Sequence, residues 1–143
     1  MTVRLVGCNH ESASIALREK VSFNAEQARA AMGQMRETFP ELEVVLLSTC
    51  NRTEFYTAAN GDKGPSTEQI TRFWAKLRKI CPSEMNGHLY DYRDDEAVRH
   101  LLSVASSLDS MVIGEPQILS QVKQAYQLAT EAKATGPTTH AVF

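Results

Sequence analysis

The sequence predicts an α+β fold, with strands and helices in the order β-α-β-β-α-β followed by two more helices. Three observations predict it. Short β-branched segments alternate with two longer segments of helical period. The middle two β segments meet across the tight turn Thr49-Cys50-Asn51-Arg52. Finally, Gly114-Glu115-Pro116 splits the last part of the chain into two helices.

Val3-Arg4-Leu5-Val6-Gly7-Cys8 reads as a first strand, ended by the turn-prone Asn9-His10 pair. A polar stretch follows. Asn24 stands three residues before Gln27, the spacing of a capping box, and opens a helix with apolar positions at Ala28, Ala31, Met32, Met35 and Phe39. Pro40 ends it, and Val44-Val45-Leu46-Leu47 is a continuous apolar run, as expected of a strand buried on both faces. Thr53 to Ala59, rich in Thr, Phe and Tyr, pairs with that strand as a hairpin. After an exposed loop at 60–65, Ser66 and Gln69 repeat the capping-box spacing. They lead into a helix lined by Ile70, Phe73, Trp74, Leu77 and Ile80 that closes near Cys81-Pro82. His88 to Tyr92 supplies the fourth strand. This order is the ferredoxin-like arrangement, with both helices on one face of the sheet.

Asp94 is placed to cap a helix with apolar positions Val98, Leu101, Leu102, Ala105 and Leu108, and Pro116 suits the first turn of a second helix running to about Lys133. The tail from Thr135 begins as a loop and stops as apolar residues return, so the chain reads as cut rather than finished. The predicted organisation is one catalytic domain, with a ferredoxin-like core at 1–93 and a helical extension at 94–143 that completes a pocket.

Composition narrows the function classes. With 143 residues, 43% hydrophobic and 22% charged, and a net charge of -2, the chain has the make-up of one ordinary domain and lacks the basic excess of a protein wrapped in nucleic acid. It has no apolar stretch of spanning length and no signal-peptide core, so no membrane partner and a cytoplasmic location are expected. Cys8, Cys50 and Cys81 form no CxxC pair, which supports neither a disulfide framework nor a zinc ribbon. No GxGxxG follows a strand, and there is no P-loop or HExxH.

Cys50 is the first candidate for chemistry, because it stands where an apolar strand ends in a turn. Arg52, two residues on, is placed to favour its thiolate. A lone cysteine at a strand end is more often a small packed residue, and the residues alone leave both roles open. Cys8, inside a strand, fits the packed role, and Cys81 has no activating neighbour in sequence. His100 falls off the stripe drawn by Val98, Leu101, Leu102 and Ala105, which leaves it either solvent-exposed or available for acid-base work. His10 and His88 have no distinguishing context. Arg72, Lys76 and Lys79 make a basic helix face, expected to be solvated.

Longer strings point further. Ser48-Thr49-Cys50-Asn51-Arg52-Thr53-Glu54-Phe55-Tyr56 closely resembles the signature of the glutamyl-tRNA reductase family around its nucleophilic cysteine. The run from His100 to Leu119 with Gln121-Val122-Lys123, and Gly7-Cys8-Asn9-His10 with Leu17-Arg18-Glu19, resemble two further blocks of that family in the same order. Departures are Cys8 in the opening block and Ser107 where glycine is usual. The resemblance implies that Cys50 is the nucleophile, taking glutamate from its tRNA as a thioester that NADPH then reduces to glutamate-1-semialdehyde for tetrapyrrole synthesis. It implies that His100 assists, and that Thr49, Asn51, Arg52, Ser110, Glu115, Pro116, Gln117 and Gln121 hold substrate, Arg52 forking to the glutamate carboxylate. It also implies a Rossmann-type NADPH domain and a helical domain for homodimer formation, both outside this chain. The competing reading is a ferredoxin-like RNA- or ligand-binding module without catalysis. The RNA variant is disfavoured, since no strand holds the aromatic motif it would need.

Overall fold

The computed structural model describes residues 2–106 and 117–143. Its order is β1 (Thr2–Asn9), α1 (Ile15–Val21), α2 (Ala25–Thr38), β2 (Glu43–Ser48), β3 (Arg52–Ala59), α3 (Thr67–Arg78), β4 (Tyr90–Arg93), α4 (Asp95–Ala105), α5 (Gln117–Glu131) and α6 (Pro137–Val142). The strands form one sheet in the order β2-β3-β1-β4, antiparallel at every junction.

Both expected capping boxes form. Asn24 Oδ1 accepts from Gln27 N while Gln27 Oε1 accepts from Asn24 N, and Ser66 and Gln69 do the same at α3. Ala28, Ala31, Met32 and Met35 are buried as the helical spacing requires.

Side chains alternate across β3, and the two faces meet different helices. Phe55 packs against Phe23 and Trp74, with ring centroids 5.8 and 5.1 Å away, so its face is covered by α1 to α3. Trp74 also donates from Nε1 to the Val21 carbonyl at 2.9 Å, tying α3 to α1. Tyr56, on the opposite face, meets the Phe143 ring at 5.3 Å, and Phe143 stacks on Tyr126 of α5. The second face is therefore covered as well, by α4 to α6.

Four local expectations are corrected. The polar stretch after β1 contains the helix α1, capped by Ser14 Oγ accepting from Leu17 N; at seven residues it is too short to show a periodic apolar stripe, and Ile15 is largely exposed. Among the described residues three helices, not two, follow the sheet. The Asp94 carboxylate makes no cap to α4: Asp94 takes φ 48°, its Oδ1 accepts from Val3 N at 3.0 Å, and its own N–H donates to the Val3 carbonyl. The strand edge claims it first. The buried stripe of α4 is Ala97, Leu101 and Val104, whereas Leu102 is 59% exposed. Leu108 and Pro116 lie outside the described residues.

The extra helix α6 is held by a buried carboxylate. Glu43 Oε1 accepts from Thr139 N at 2.7 Å and from Thr139 Oγ1 at 2.9 Å, and Glu43 Oε2 accepts from Thr138 N at 3.4 Å. Gly136 leaves room for that carboxylate, since a Cβ there would lie 2.8 Å from Glu43 Cδ. Glu43→Ala is expected to cost roughly 1.5–3 kcal/mol, the range for hydrogen bonds to a charged group. Urea denaturation checks this, and an unchanged midpoint would show that α6 docks through its apolar contacts alone.

Candidate active site at one end of the sheet

The register brings the end of β1, the end of β2 and the starts of β3 and β4 to one edge of the sheet. Asn9 pairs with Arg52, Ser48 with Thr53, and Gly7 with both Glu54 and Tyr90. The β2–β3 turn is built by Thr49, whose Oγ1 accepts from Asn51 N at 3.1 Å and Arg52 N at 3.2 Å while its own N–H donates to the Arg52 carbonyl. The turn leaves Cys50 exposed. It is buttressed by Arg18 of α1, a buried arginine whose Nη1 donates to the Cys50 carbonyl at 3.5 Å. Arg18 was visible in sequence only as part of a matching string.

Glu54 follows on β3, fully buried, and sequence reasoning passed it over. Its Oε1 accepts from Tyr56 Oη at 2.8 Å. Its Oε2 accepts from Tyr90 Oη at 2.5 Å, lies 2.5 Å from His100 Nε2, and stands 3.6 Å from Arg52 Nη1. Burial, and then the charge of Glu54, push the Tyr56 and Tyr90 hydroxyls far above the usual phenol range, so both remain donors. The available signal was an acid between Thr53 and Phe55 in a strand that otherwise reads as wholly buried.

His100 is neither solvent-exposed nor off the packed face. Its side chain is 11% exposed, and its ring lies 5.1 Å from Tyr90 and 5.2 Å from Tyr92. With Ala97, Leu101 and Val104 as the true stripe, His100 falls at i+3 from Ala97 and shares its side of the helix. Arg52, expected beside the Cys50 thiol, has its guanidinium in the interior pair with Glu54. Gln121 of α5 is half-buried and lines a groove of about 410 Å³ with Asn24, Leu46, Leu47 and Ser48. Gln117 opens α5, and Ser110, Glu115 and Pro116 lie outside the described residues. Arg72, Lys76 and Lys79 are exposed, as expected of a solvated face.

Gly7 exists here for space. A Cβ on it would lie 2.8 Å from both Glu54 Cγ and the Thr53 carbonyl oxygen. Gly7→Ala is expected to cost about 1–3 kcal/mol by overpacking, and to displace Glu54 from His100. Denaturant melts check the first part. A crystal structure of the variant with the 2.5 Å contact intact would refute the second.

The three thiols differ. Burial raises the Cys8 thiol to about 11, only partly offset by a hydrogen bond from Thr53 and by the charge of Arg18. Cys81 does have an activating neighbour: Ser83 Oγ donates to its Sγ at 3.1 Å and lowers its pKa. Brief alkylation near neutral pH is therefore expected to label Cys50 and Cys81 and to spare Cys8 until the chain unfolds. Peptide mapping reads this out, and labelling of Cys8 in the folded chain would contradict it.

The family model for the glutamyl-tRNA(Glu) reductase N-terminal domain matches residues 6–143. The chain belongs to the glutamyl-tRNA reductase family. It is 41% identical over its whole length to the glutamyl-tRNA reductase of Rhodopirellula baltica, covering 34% of that protein. It is 44% identical over 137 residues to that of Idiomarina loihiensis, covering 95% of this chain and 31% of the relative. The solved glutamyl-tRNA reductase from Methanopyrus kandleri superposes with a TM-score of 0.75 at 31% identity, covering 98% of this chain and 31% of that one. The chain thus spans about a third of the length of these reductases, and is the N-terminal domain of the family.

Proposed function

We propose that this domain carries out the acyl-transfer half of glutamyl-tRNA reduction, with Cys50 as nucleophile. The observation that carries the reading is the exposed Cys50 in the turn that opens β3, the strand whose Arg52 and Glu54 form a buried cluster with His100, in a chain of this family. The Cys50 thiol passes its proton to His100, and Sγ bonds to the carbonyl carbon that joins glutamate to the tRNA ribose. The carbon–oxygen ester bond breaks, and the ribose oxygen leaves with a proton returned by His100. Arg52 reads the glutamate side-chain carboxylate. Thr49 shapes the turn, while Asn51, Ser110, Glu115, Pro116, Gln117 and Gln121 complete the substrate's surroundings.

The strand order β4-β1-β3-β2 supports a ferredoxin-like core at 1–93, with 94–143 as an added helical layer that closes the second sheet face. That cover argues against a non-catalytic RNA-binding module, which would need an open sheet face.

Ser14, Asn24 and Ser66 each take up one first-turn amide of α1, α2 and α3, and Glu43 accepts from Thr138 N and Thr139 N at the start of α6, which makes these four helix starts poor seats for the pyrophosphate of a dinucleotide. NADPH, reduction to the semialdehyde and homodimer contacts are assigned to parts of longer family members, and the whole enzyme to the cytoplasm. No helix among the described residues is long and apolar enough to cross a membrane.

The test mixes the chain with radiolabelled glutamyl-tRNA and NADPH. A glutamyl adduct mapped to Cys50 by intact mass and peptide analysis is expected, followed by slow release of free glutamate without semialdehyde. Intact glutamyl-tRNA with no adduct would refute an acyl-transfer role for this domain. Semialdehyde would refute the assignment of reduction to other parts.

A further inference from the structure

Among the buried titratable groups, Glu54 has the most partners and no role in the mechanism above. We propose that Glu54 is a positioning residue acting through His100, holding the imidazole in the Nε2–H tautomer so that Nδ1 is the nitrogen that exchanges the proton. This rests on the reaction proposed for Cys50 and deepens it.

The geometry sets the donor direction. Glu54 Oε2 also accepts from Tyr90 Oη and faces Arg52 Nη1, so among these groups the carboxylate is the acceptor and His100 Nε2 must donate to it. A neutral imidazole with its proton on Nε2 has its lone pair on Nδ1. The ring cannot readily turn away. Tyr90 and Tyr92 stack on each other with centroids 5.4 Å apart, and both pack against His100. Glu54 is itself fixed: Tyr56 holds its second oxygen, and Gly7 opposite leaves space for its Cγ alone. Carboxylate, imidazole and proton-exchanging nitrogen then stand in the relation used wherever a buried acid orients a histidine base. The Arg52 charge balances that of Glu54 across 3.6 Å.

Two experiments on the 143-residue chain test the assignment. In the first, ¹⁵N NMR of the wild-type protein labelled in histidine is expected to show His100 protonated at Nε2 with a bare Nδ1 in its neutral form. An Nδ1–H tautomer overturns the proposal without any variant having to fold.

In the second, thioester formation is followed with glutamyl-tRNA. Glu54→Gln is expected to slow the rate at saturation roughly 10²-fold, with the half-saturating glutamyl-tRNA concentration changed less than about two-fold. His100→Asn should cost a similar factor, and the double variant no more than either single one. Losses that multiply in the double variant, or a Glu54→Gln rate equal to wild type, overturn the action through His100. A wild-type chain that forms no thioester overturns the reaction reading, whereas the NMR result bears on Glu54 alone.

Discussion

Cys50→Ser is expected to abolish the glutamyl adduct entirely, while leaving the fold and its melting point unchanged. The reasoning begins with exposure: Cys50 packs against nothing whose loss would matter, and its turn is held by the Thr49 hydroxyl and by Arg18 through backbone atoms, which serine retains. The chemistry changes completely. A thiol gives up its proton far more readily than an alcohol and its thiolate is strongly nucleophilic, so a base able to serve the thiol leaves a serine hydroxyl largely protonated. The Nε2 of His100 is engaged by Glu54, in an arrangement that serves a thiol of lower pKa than any alcohol. Intact mass after incubation with glutamyl-tRNA reads the adduct. An ester of comparable yield on the serine variant would show that the site supplies a far stronger base than the structure displays. Adduct retained on another residue would show that Cys50 is not the nucleophile.

The second large effect is expected from Arg52→Lys. Arg52 is buried and faces Glu54 Oε2 from 3.6 Å, so its guanidinium balances the Glu54 charge, and its planar fork has the geometry that pairs with a carboxylate. Lysine keeps the positive charge, so Glu54 is not left uncompensated and the fold should survive; removing the charge altogether would cost about 3–5 kcal/mol by breaking a buried pair. What lysine cannot do is hold Glu54 and a substrate carboxylate in one plane. Thioester formation is expected to slow roughly 10²-fold or more, and discrimination against glutaminyl-tRNA to fall from about 10⁴ toward the 10² of a pocket without matched polar groups. Single-turnover rates with both charged tRNAs measure it. A folded variant that reacts at the wild-type rate and still refuses glutaminyl-tRNA would remove Arg52 as the carboxylate reader.

The predictions touching the site thus converge on residues whose roles were unequally visible. The exposed turn position of Cys50 was legible because its signal is local: an apolar strand, a turn and a matching string of neighbours. The capping boxes at Asn24 and Ser66 were legible for the same reason, since the groups that satisfy each helix end lie three residues apart. His100 was misread because face assignment on an amphipathic helix depends on which apolar residue is taken as core. Counting Leu102 inward turns the stripe by about 100°, one residue's rotation, and moves the histidine off it.

Sequence by itself determined the strand order along the chain, the two capped helices, the family and the turn that carries Cys50, because each of these is written in residues within a few positions of one another. Only the tertiary structure decided which residues share the site. Glu54, Tyr56, Tyr90 and His100 come from two strands and a helix, and Gly7 and Arg18 join them from β1 and α1. The second helical layer was decided at the same level, as α6 docks through a Glu43 contact spanning 96 residues. The physical reason is the same in both cases. A buried carboxylate is stable only where its donors converge, and in an antiparallel sheet that convergence is set by register and by the helices laid across it.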